Sequence, residues 1–289
     1  MNVQEECFAC LLSQGRRAID LAGVEGRERK DMLEKVREFL EGNFSEDEIP
    51  ARIGTELQRL LEENTGVKDI LKAKKRRSND IALSLCNRAS EIVEDSSDRL
   101  RHAVKAALAG NLIDFAVHNA DVKQGVLEDA LEDPLIIDEI DKAKGLFEKF
   151  NNVLYICDNA GEIAFDKILI RELKGIGLKV TACVKPGPIV NDATMEDATY
   201  VSLTEACEVI DTGSAAIGTR LDECSQEFLR RFREAEIIIS KGQANFETLH
   251  DVRDRNIIFI LKAKCKPVAR FLGVEENSSV VRVNEVQRL

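Results

Sequence analysis

The sequence predicts an α/β fold in two parts. An all-helical region over residues 1–149 is followed, over residues 150–289, by a mostly parallel sheet with helices between its strands. Two observations carry this reading. Before Phe150 the apolar residues recur at helical spacing, whereas after it short apolar runs alternate with amphipathic segments, the pattern of successive strand–helix units. With 289 residues, 44% of them hydrophobic, the chain is long enough for two unequal parts and a large core.

In the first region Met32, Leu33, Val36, Phe39 and Leu40 form one apolar face between charged neighbours. Breaks at Gly42-Asn43, Asn64-Thr-Gly66, Asp95-Ser-Ser97 and Gly110-Asn111 divide the region into roughly six helices. Ser45-Glu-Asp-Glu48 reads as a capping box, and no strand is expected before Phe150. In the second region strands are expected at Val153–Cys157, Lys179–Val184, Tyr200–Leu203, Glu236–Ser240, Ile257–Leu261 and Val280–Val283, with Val209-Ile210 as a further short one. Helices are expected at Glu162–Lys174, Cys224–Ala235 and Asn245–Val252. No long linker divides the regions, so the helical part is expected to pack on the sheet.

Composition narrows the function. A net charge of −11, no Trp and two Tyr argue against nucleic acid as the main partner, while leaving room for a local basic site that holds a small anion. The start Met1-Asn-Val-Gln-Glu-Glu6 lacks the basic and apolar parts of a signal peptide, and no apolar run reaches membrane-spanning length. A cytoplasmic protein with no membrane partner is therefore expected. Eight scattered Cys do not make a secreted disulfide scaffold. Cys7 and Cys10 have the spacing of half a zinc site, but no second half follows, which leaves a buried pair on one helical face beside a metal or redox role. His102, His118 and His250 show no ligand spacing.

Three strand ends carry polar clusters: Asp158-Asn159-Ala-Gly-Glu162, Lys185-Pro-Gly-Pro-Ile-Val-Asn191-Asp192 and Ser240-Lys241-Gly-Gln-Ala-Asn245. In a parallel sheet such ends converge on the edge where ligands bind. The plainer alternative is that Asp, Asn and Gly merely cap the helices that follow. Chemically, Asp158, Asn159 and Asp192 offer hard oxygen ligands to a divalent cation. Lys241 offers the opposite charge to a phosphoryl group. Glycines 161, 187 and 242 allow close backbone approach to a ligand. Glu162, Lys185, Asn191 and Asn245 in the same clusters are candidate substrate contacts. Asn111 and Asp114 near a glycine-marked break, and Asn79 one helical turn from Lys75, are candidates from the helical side, where capping and a solvated basic surface are the plainer readings.

Taken in order, Asp158-Asn-Ala-Gly-Glu162, the stretch from Lys185 through Asn191-Asp-Ala-Thr194, and Ser240-Lys-Gly-Gln-Ala-Asn245 resemble the motifs of the damage-control phosphatase family, also known as domain of unknown function 89. Lys75-Arg-Arg-Ser-Asn79 and Gly110-Asn-Leu-Ile-Asp-Phe115 resemble its helical-domain motifs, and Cys7-Phe-Ala-Cys10 is similar to its archaeal-type branch. The resemblance implies a Rossmann-like three-layer α/β/α sandwich with an α-helical domain packed against it. It also implies a metal-dependent hydrolase of small phosphorylated metabolites such as sugar phosphates or phosphopantetheine-like compounds. The resemblance implies that the metal is held by Asp158, Asn159 and Asp192; oxygen ligands fit magnesium and manganese, and the carboxamide and open positions would also accept cobalt or nickel.

Ala160 stands where enzymes that form an aspartyl phosphate place their second carboxylate, so attack by water is preferred over attack by Asp158. A nucleotide-binding module or phosphotransferase on the same fold is the competing class. Neither a Gly-x-x-x-x-Gly-Lys-Ser/Thr loop nor a Gly-x-Gly-x-x-Gly turn supports it. A noncatalytic metabolite-binding protein is the other alternative.

Overall fold

The computed structural model describes residues 1–110 and 125–286. Helices α1 (Glu5–Leu21), α2 (Gly26–Asn43) and α3 (Pro50–Thr65) enclose a small core of their own, in which Leu11, Val36, Leu40, Leu57 and Leu61 are buried. The expected capping box at Ser45–Glu48 is instead a turn closed by the Glu48 N–H on the Ser45 carbonyl at 2.9 Å. Pro50 takes the first helical position of α3, where its missing N–H costs nothing. Gly66, at φ +69°, ends that helix in the left-handed conformation that glycine adopts without strain.

Helices α4 (Lys72–Asp95) and α5 (Arg99–Ala109) do not join that small core. Their Ala82, Ala89, Ala103, Ala106 and Ala107 are buried against the sheet, and these small side chains let the helices approach closely. The helical half is thus divided in its packing, with α1–α3 as a satellite and α4–α5 as part of one covering layer.

The rest of the chain runs α6 (Val126–Glu132), β1 (Leu135–Asp138), α7 (Ile140–Phe147), β2 (Asn152–Ile156), α8 (Glu162–Gly175), β3 (Lys179–Val184), α9 (Met195–Tyr200), α10 (Leu203–Ala206) and β4 (Glu208–Asp211). It continues through α11 (Gln226–Glu234), β5 (Ile237–Lys241), α12 (Gln243–Leu249), β6 (Asn256–Lys262), α13 (Lys266–Leu272) and β7 (Ser279–Asn284). Seven strands form one sheet in the order β1-β7-β6-β5-β2-β3-β4. Neighbours are parallel except β6 and β7.

Alternate residues of the strands feed two cores. Val153, Tyr155, Ala182, Ile237, Ile239 and Ile258 face α4, α5 and α8, whereas Leu154, Ile156, Cys183, Ile238, Ile257 and Phe259 face Phe228, Phe232, Phe246 and Val268 of α11, α12 and α13. This is a three-layer α/β/α sandwich, and strands covered on both faces explain why their apolar runs are continuous rather than alternating. Among the described residues, no helix is long and apolar enough to cross a membrane.

Two expectations are corrected. Strand β1 lies in a stretch read as helical, so the sheet begins before residue 150. Its four residues sit at the sheet's edge and only alternate between half-buried and exposed, which is too short a pattern to stand out from helical spacing. Tyr200–Leu203 is not a strand but the junction of α9 and α10. Thr194 caps α9 through Asp197 in a reciprocal capping box, and the buried Val201 and Leu203 serve the core from a helical connection.

The sheet reverses its direction of progress between β2 and β5: β3 and β4 extend one way from β2, and β5 and β6 the other. The crevice at such a switch point, outside the carboxyl ends of the strands, is where open α/β sheets bind ligands. Asp158 follows β2, Gly242 follows β5, and Lys185 follows β3 at that edge.

Candidate active site

Two turns at this edge lie side by side. The Ala160 N–H donates to the Asn191 carbonyl at 2.9 Å and the Ala193 N–H donates to the Asp158 carbonyl at 2.8 Å. The bridge so formed pairs Asn159 with Asp192 in antiparallel fashion. Backbone pairing thereby brings the first two candidate ligands beside the third, although they are distant in sequence.

The side chains are oriented from below. Asn159 Nδ2 donates to Asp158 Oδ2 and to Glu162 Oε1, both at 2.8 Å, which turns its Oδ1 away from these carboxylates as an acceptor. The Asp158 carboxylate rests on Gly242, whose φ is +82°; a Cβ at position 242 would lie 2.0 Å from Asp158 Oδ2. Only glycine leaves that space open.

The electrostatics suit a cation. Burial raises the pKa of Asp158 well above its ordinary value, and the nearby Glu162 and Asp192 carboxylates raise it further, against the opposing charges of Lys264 and Lys241. Asp192 is raised to about 6 by burial, against the lowering effect of Lys185 and Lys75. Two carboxylates crowded together at the cost of their ionisation are a site that a divalent cation would relieve. Among the described residues no three His, Cys, Asp or Glu side chains converge as a metal site; with Asp158 and Asp192, the Asn159 carboxamide would supply a third oxygen. That donor set fits hard cations.

A cleft of about 1090 Å³ opens in front of these groups. Asp158, Asn159, Asn191 and Asp192 line one wall with Lys264 and Glu247; Cys7, Leu11, Gln14, Leu57 and Leu61 of α1 and α3 line the other. Cys7 and Cys10 therefore sit on the cleft wall, both as free thiols.

The remaining candidates are placed differently. Lys241 is 1% exposed, and its ammonium donates to Asp166 Oδ1 at 2.6 Å and to the Ala107 carbonyl of α5 at 2.9 Å, with Glu162 Oε2 at 3.6 Å. Burial works to lower its pKa, but Asp166 and Glu162 outweigh that and hold it charged. Tyr155 Oη also donates to Asp166, at 2.7 Å. Lys241 thus stands beneath the site, in a buried network rather than on the cleft wall. Glu162 is buried, and among the described residues its Oε2 has no hydrogen-bond partner.

Lys185 is buried, bonded to the Gly218 carbonyl, with Nζ 3.7 Å from Asp192 Oδ2. Asn245 is committed as a brace: Nδ2 donates to the Cys157 and Lys241 carbonyls at 3.1 and 2.8 Å, and Oδ1 accepts from Thr219 Oγ1 at 2.8 Å. Asn79 is buried in α4, bonded to Gly161 and Asp197. Asn111 and Asp114 lie outside the described residues.

Sequence reading missed Asp166, Lys75 as a site group, and Lys264. Asp166 left no clear signal, because Glu162, Lys167, Arg171, Glu172 and Lys174 give the same helix other charges, and only the tertiary structure shows Asp166 to be buried. Lys264 follows β6, a fourth strand end whose Lys-Ala-Lys-Cys-Lys run resembles ordinary surface charge.

An oxygen-rich cleft at the switch point of a doubly wound sheet defines an α/β protein whose ligand edge is lined by Asp158, Asn159 and Asp192. The damage-control phosphatase ARMT1-like domain matches residues 3–280, and the chain belongs to that family. It is 37% identical to a damage-control phosphatase of Pyrococcus horikoshii, covering 99% of both chains, and 34% identical to one of Archaeoglobus fulgidus, covering 99% of this chain and 100% of the relative. An uncharacterized protein of Methanocaldococcus jannaschii is 38% identical over 97% of this chain and 95% of its own. The crystal structure of a DUF89 family protein from Pyrococcus horikoshii superimposes with a TM-score of 0.89 at 34% identity, covering 99% of this chain and 100% of that one.

Proposed function

We propose that this chain is a metal-dependent phosphomonoester hydrolase acting on small phosphorylated metabolites, with sugar phosphates and phosphopantetheine-like compounds as the first candidates. The observation that carries the reading is the backbone pairing of the Asp158 turn with the Asp192 turn, which converges three oxygen donors on one wall of a metabolite-sized cleft. Relatives named damage-control phosphatases along the whole length support it.

Asp158, Asn159 and Asp192 would hold magnesium, manganese, cobalt or nickel, all of which accept oxygen ligands. When bound, the cation supplies positive charge to the phosphate oxygens. Water attacks phosphorus, the ester P–O bond breaks, and the leaving oxygen takes a proton, yielding an alcohol and inorganic phosphate. Lys264, on the cleft wall and close enough to influence Asp158, is the ammonium we assign to the phosphate. Lys241 acts from below, keeping Asp166 and Glu162 compensated so that Asn159 and Asp158 stay oriented. Asp158 is not assigned as nucleophile, because Ala160 supplies no second carboxylate to protonate a leaving group.

The test is phosphate release from a panel of sugar phosphates and phosphopantetheine compounds, with each of the four metals and with chelator. Metal-dependent release that is abolished by Asp158→Asn is the expected result. Binding of these compounds without release under any metal would instead favour a noncatalytic metabolite-binding role.

A further inference from the structure

The two turns that carry the candidate ligands are joined at one end by their own backbone pairing. At the other end a single side chain from the helical region joins them. Asn79, on α4 and 1% exposed, accepts the Gly161 N–H on Oδ1 at 2.7 Å and donates from Nδ2 to Asp197 Oδ1 at 2.8 Å.

Gly161 closes the turn that begins at Asp158. Asp197 holds the end of the other turn, since its Oδ2 accepts from the Thr194 N–H at 3.0 Å and from Thr194 Oγ1 at 2.7 Å. One carboxamide therefore spans the far ends of both turns. The seat is tight: Gly161 has φ +82°, and a Cβ there would lie 3.0 Å from the Ser78 carbonyl oxygen. Lys75, one helical turn before Asn79, places Nζ 4.0 Å from Asp197 Oδ2 and 2.9 Å from Asp69 Oδ2, so the buried Asp197 has a cation nearby.

We propose that Asn79 is a positioning residue that sets the spacing between the Asp158-Asn159 pair and Asp192, and that α4 thereby gauges the site from outside the sheet. The proposal rests on the hydrolase reading for its metal but not for its geometry. It replaces the expectation that Asn79 contacts substrate, because its carboxamide is buried and engaged on both the oxygen and the nitrogen. Groups behind a ligand shell that orient it affect metal affinity by roughly 10- to 100-fold.

The bridge can be reversed without being lost. In N79D/D197N, the carboxylate at 79 accepts from Gly161 and from the new carboxamide at 197, whose oxygen still accepts from Thr194. All four hydrogen bonds survive. N79D alone sets two carboxylates against each other with no donor between them.

Two readouts on the full chain, taken well below its unfolding temperature, test this: the Mn²⁺ dissociation constant, and amide hydrogen exchange over residues 158–161 and 191–194. N79D is expected to weaken Mn²⁺ binding by about 10-fold or more and to speed exchange in both segments, while N79D/D197N returns both close to wild type. Asn79→Ser, a smaller disturbance, supplies the single-variant comparison if N79D does not fold. Wild-type affinity and exchange in the single variants, or a double variant no better than N79D, overturns the proposal. If the wild type binds no Mn²⁺ while exchange still follows the predicted loss and rescue, the metal reading falls and the positioning role stands.

Discussion

The Asp158 carboxylate occupies the space that a side chain at Gly242 would need, with a Cβ there falling 2.0 Å from Oδ2. The end of β5 thus forms the floor on which the candidate ligand rests. Gly242→Ala is expected to displace Asp158 and reduce turnover by about 100-fold, the scale of an ångström-sized misplacement. The backbone at φ +82° and ψ 164°, a region essentially reserved for glycine, adds a stability loss of roughly 1–3 kcal/mol. Steady-state kinetics together with denaturant unfolding measure the two effects. A variant with normal turnover would mean that Asp158 need not lie where it does.

Lys241 is the cation of a buried pair, so its removal leaves Asp166 uncompensated. Lys241→Met is expected to destabilise the fold by about 3–5 kcal/mol, and Lys241→Met with Asp166→Asn by less, because the double variant removes one of the two buried carboxylates that Lys241 compensates. Urea unfolding of the two variants checks this. Equal losses would show that the pair does not carry the penalty.

Lys264 is exposed on the cleft wall, so Lys264→Met is expected to leave the unfolding midpoint within about 0.5 kcal/mol of wild type. Its effect falls on substrate, as a rise in KM of roughly 10-fold, the loss of one charged contact of about 1.5 kcal/mol. An unchanged KM removes Lys264 from the phosphate site.

Glu247 is raised to about 7 by burial, with its bond from Gln243 and the amino terminus pulling the other way. Below its ordinary value of 4.5 it is protonated in both the folded and unfolded chain. Between that value and its folded one, only the unfolded chain releases the proton, so this group's contribution to stability declines as pH rises through the window. Glu247→Gln cannot ionise and keeps an acceptor for Gln243. It is expected to match wild type near pH 4.5 and to exceed it above pH 7 by about 3 kcal/mol. Unfolding measured at both pH values gives the comparison, and an advantage confined to low pH would reverse the sign of the argument.

Most of the fold was legible in the residues. Lys179–Val184 coincides with β3, the strand expected at Val209-Ile210 falls within β4, and Glu162–Lys174 lies within α8. Each is set by local periodicity and by what can be buried along a short segment. Strand β1 and the helical junction after Tyr200 escaped because four-residue apolar patterns suit either state until tertiary contacts choose one.

By itself the sequence determined that polar clusters end successive strands and that oxygen donors, not thiols or imidazoles, dominate them. Only the tertiary structure decided which of those groups meet the cleft. Lys241 and Lys264 both follow strands at the same edge, yet α5 and α8 close over the first and leave the second open. The physical reason is that a lysine's role depends on the solvent and carboxylates around its ammonium. Those surroundings come from helices far away in the chain, as does the carboxamide of Asn79 that joins the two turns.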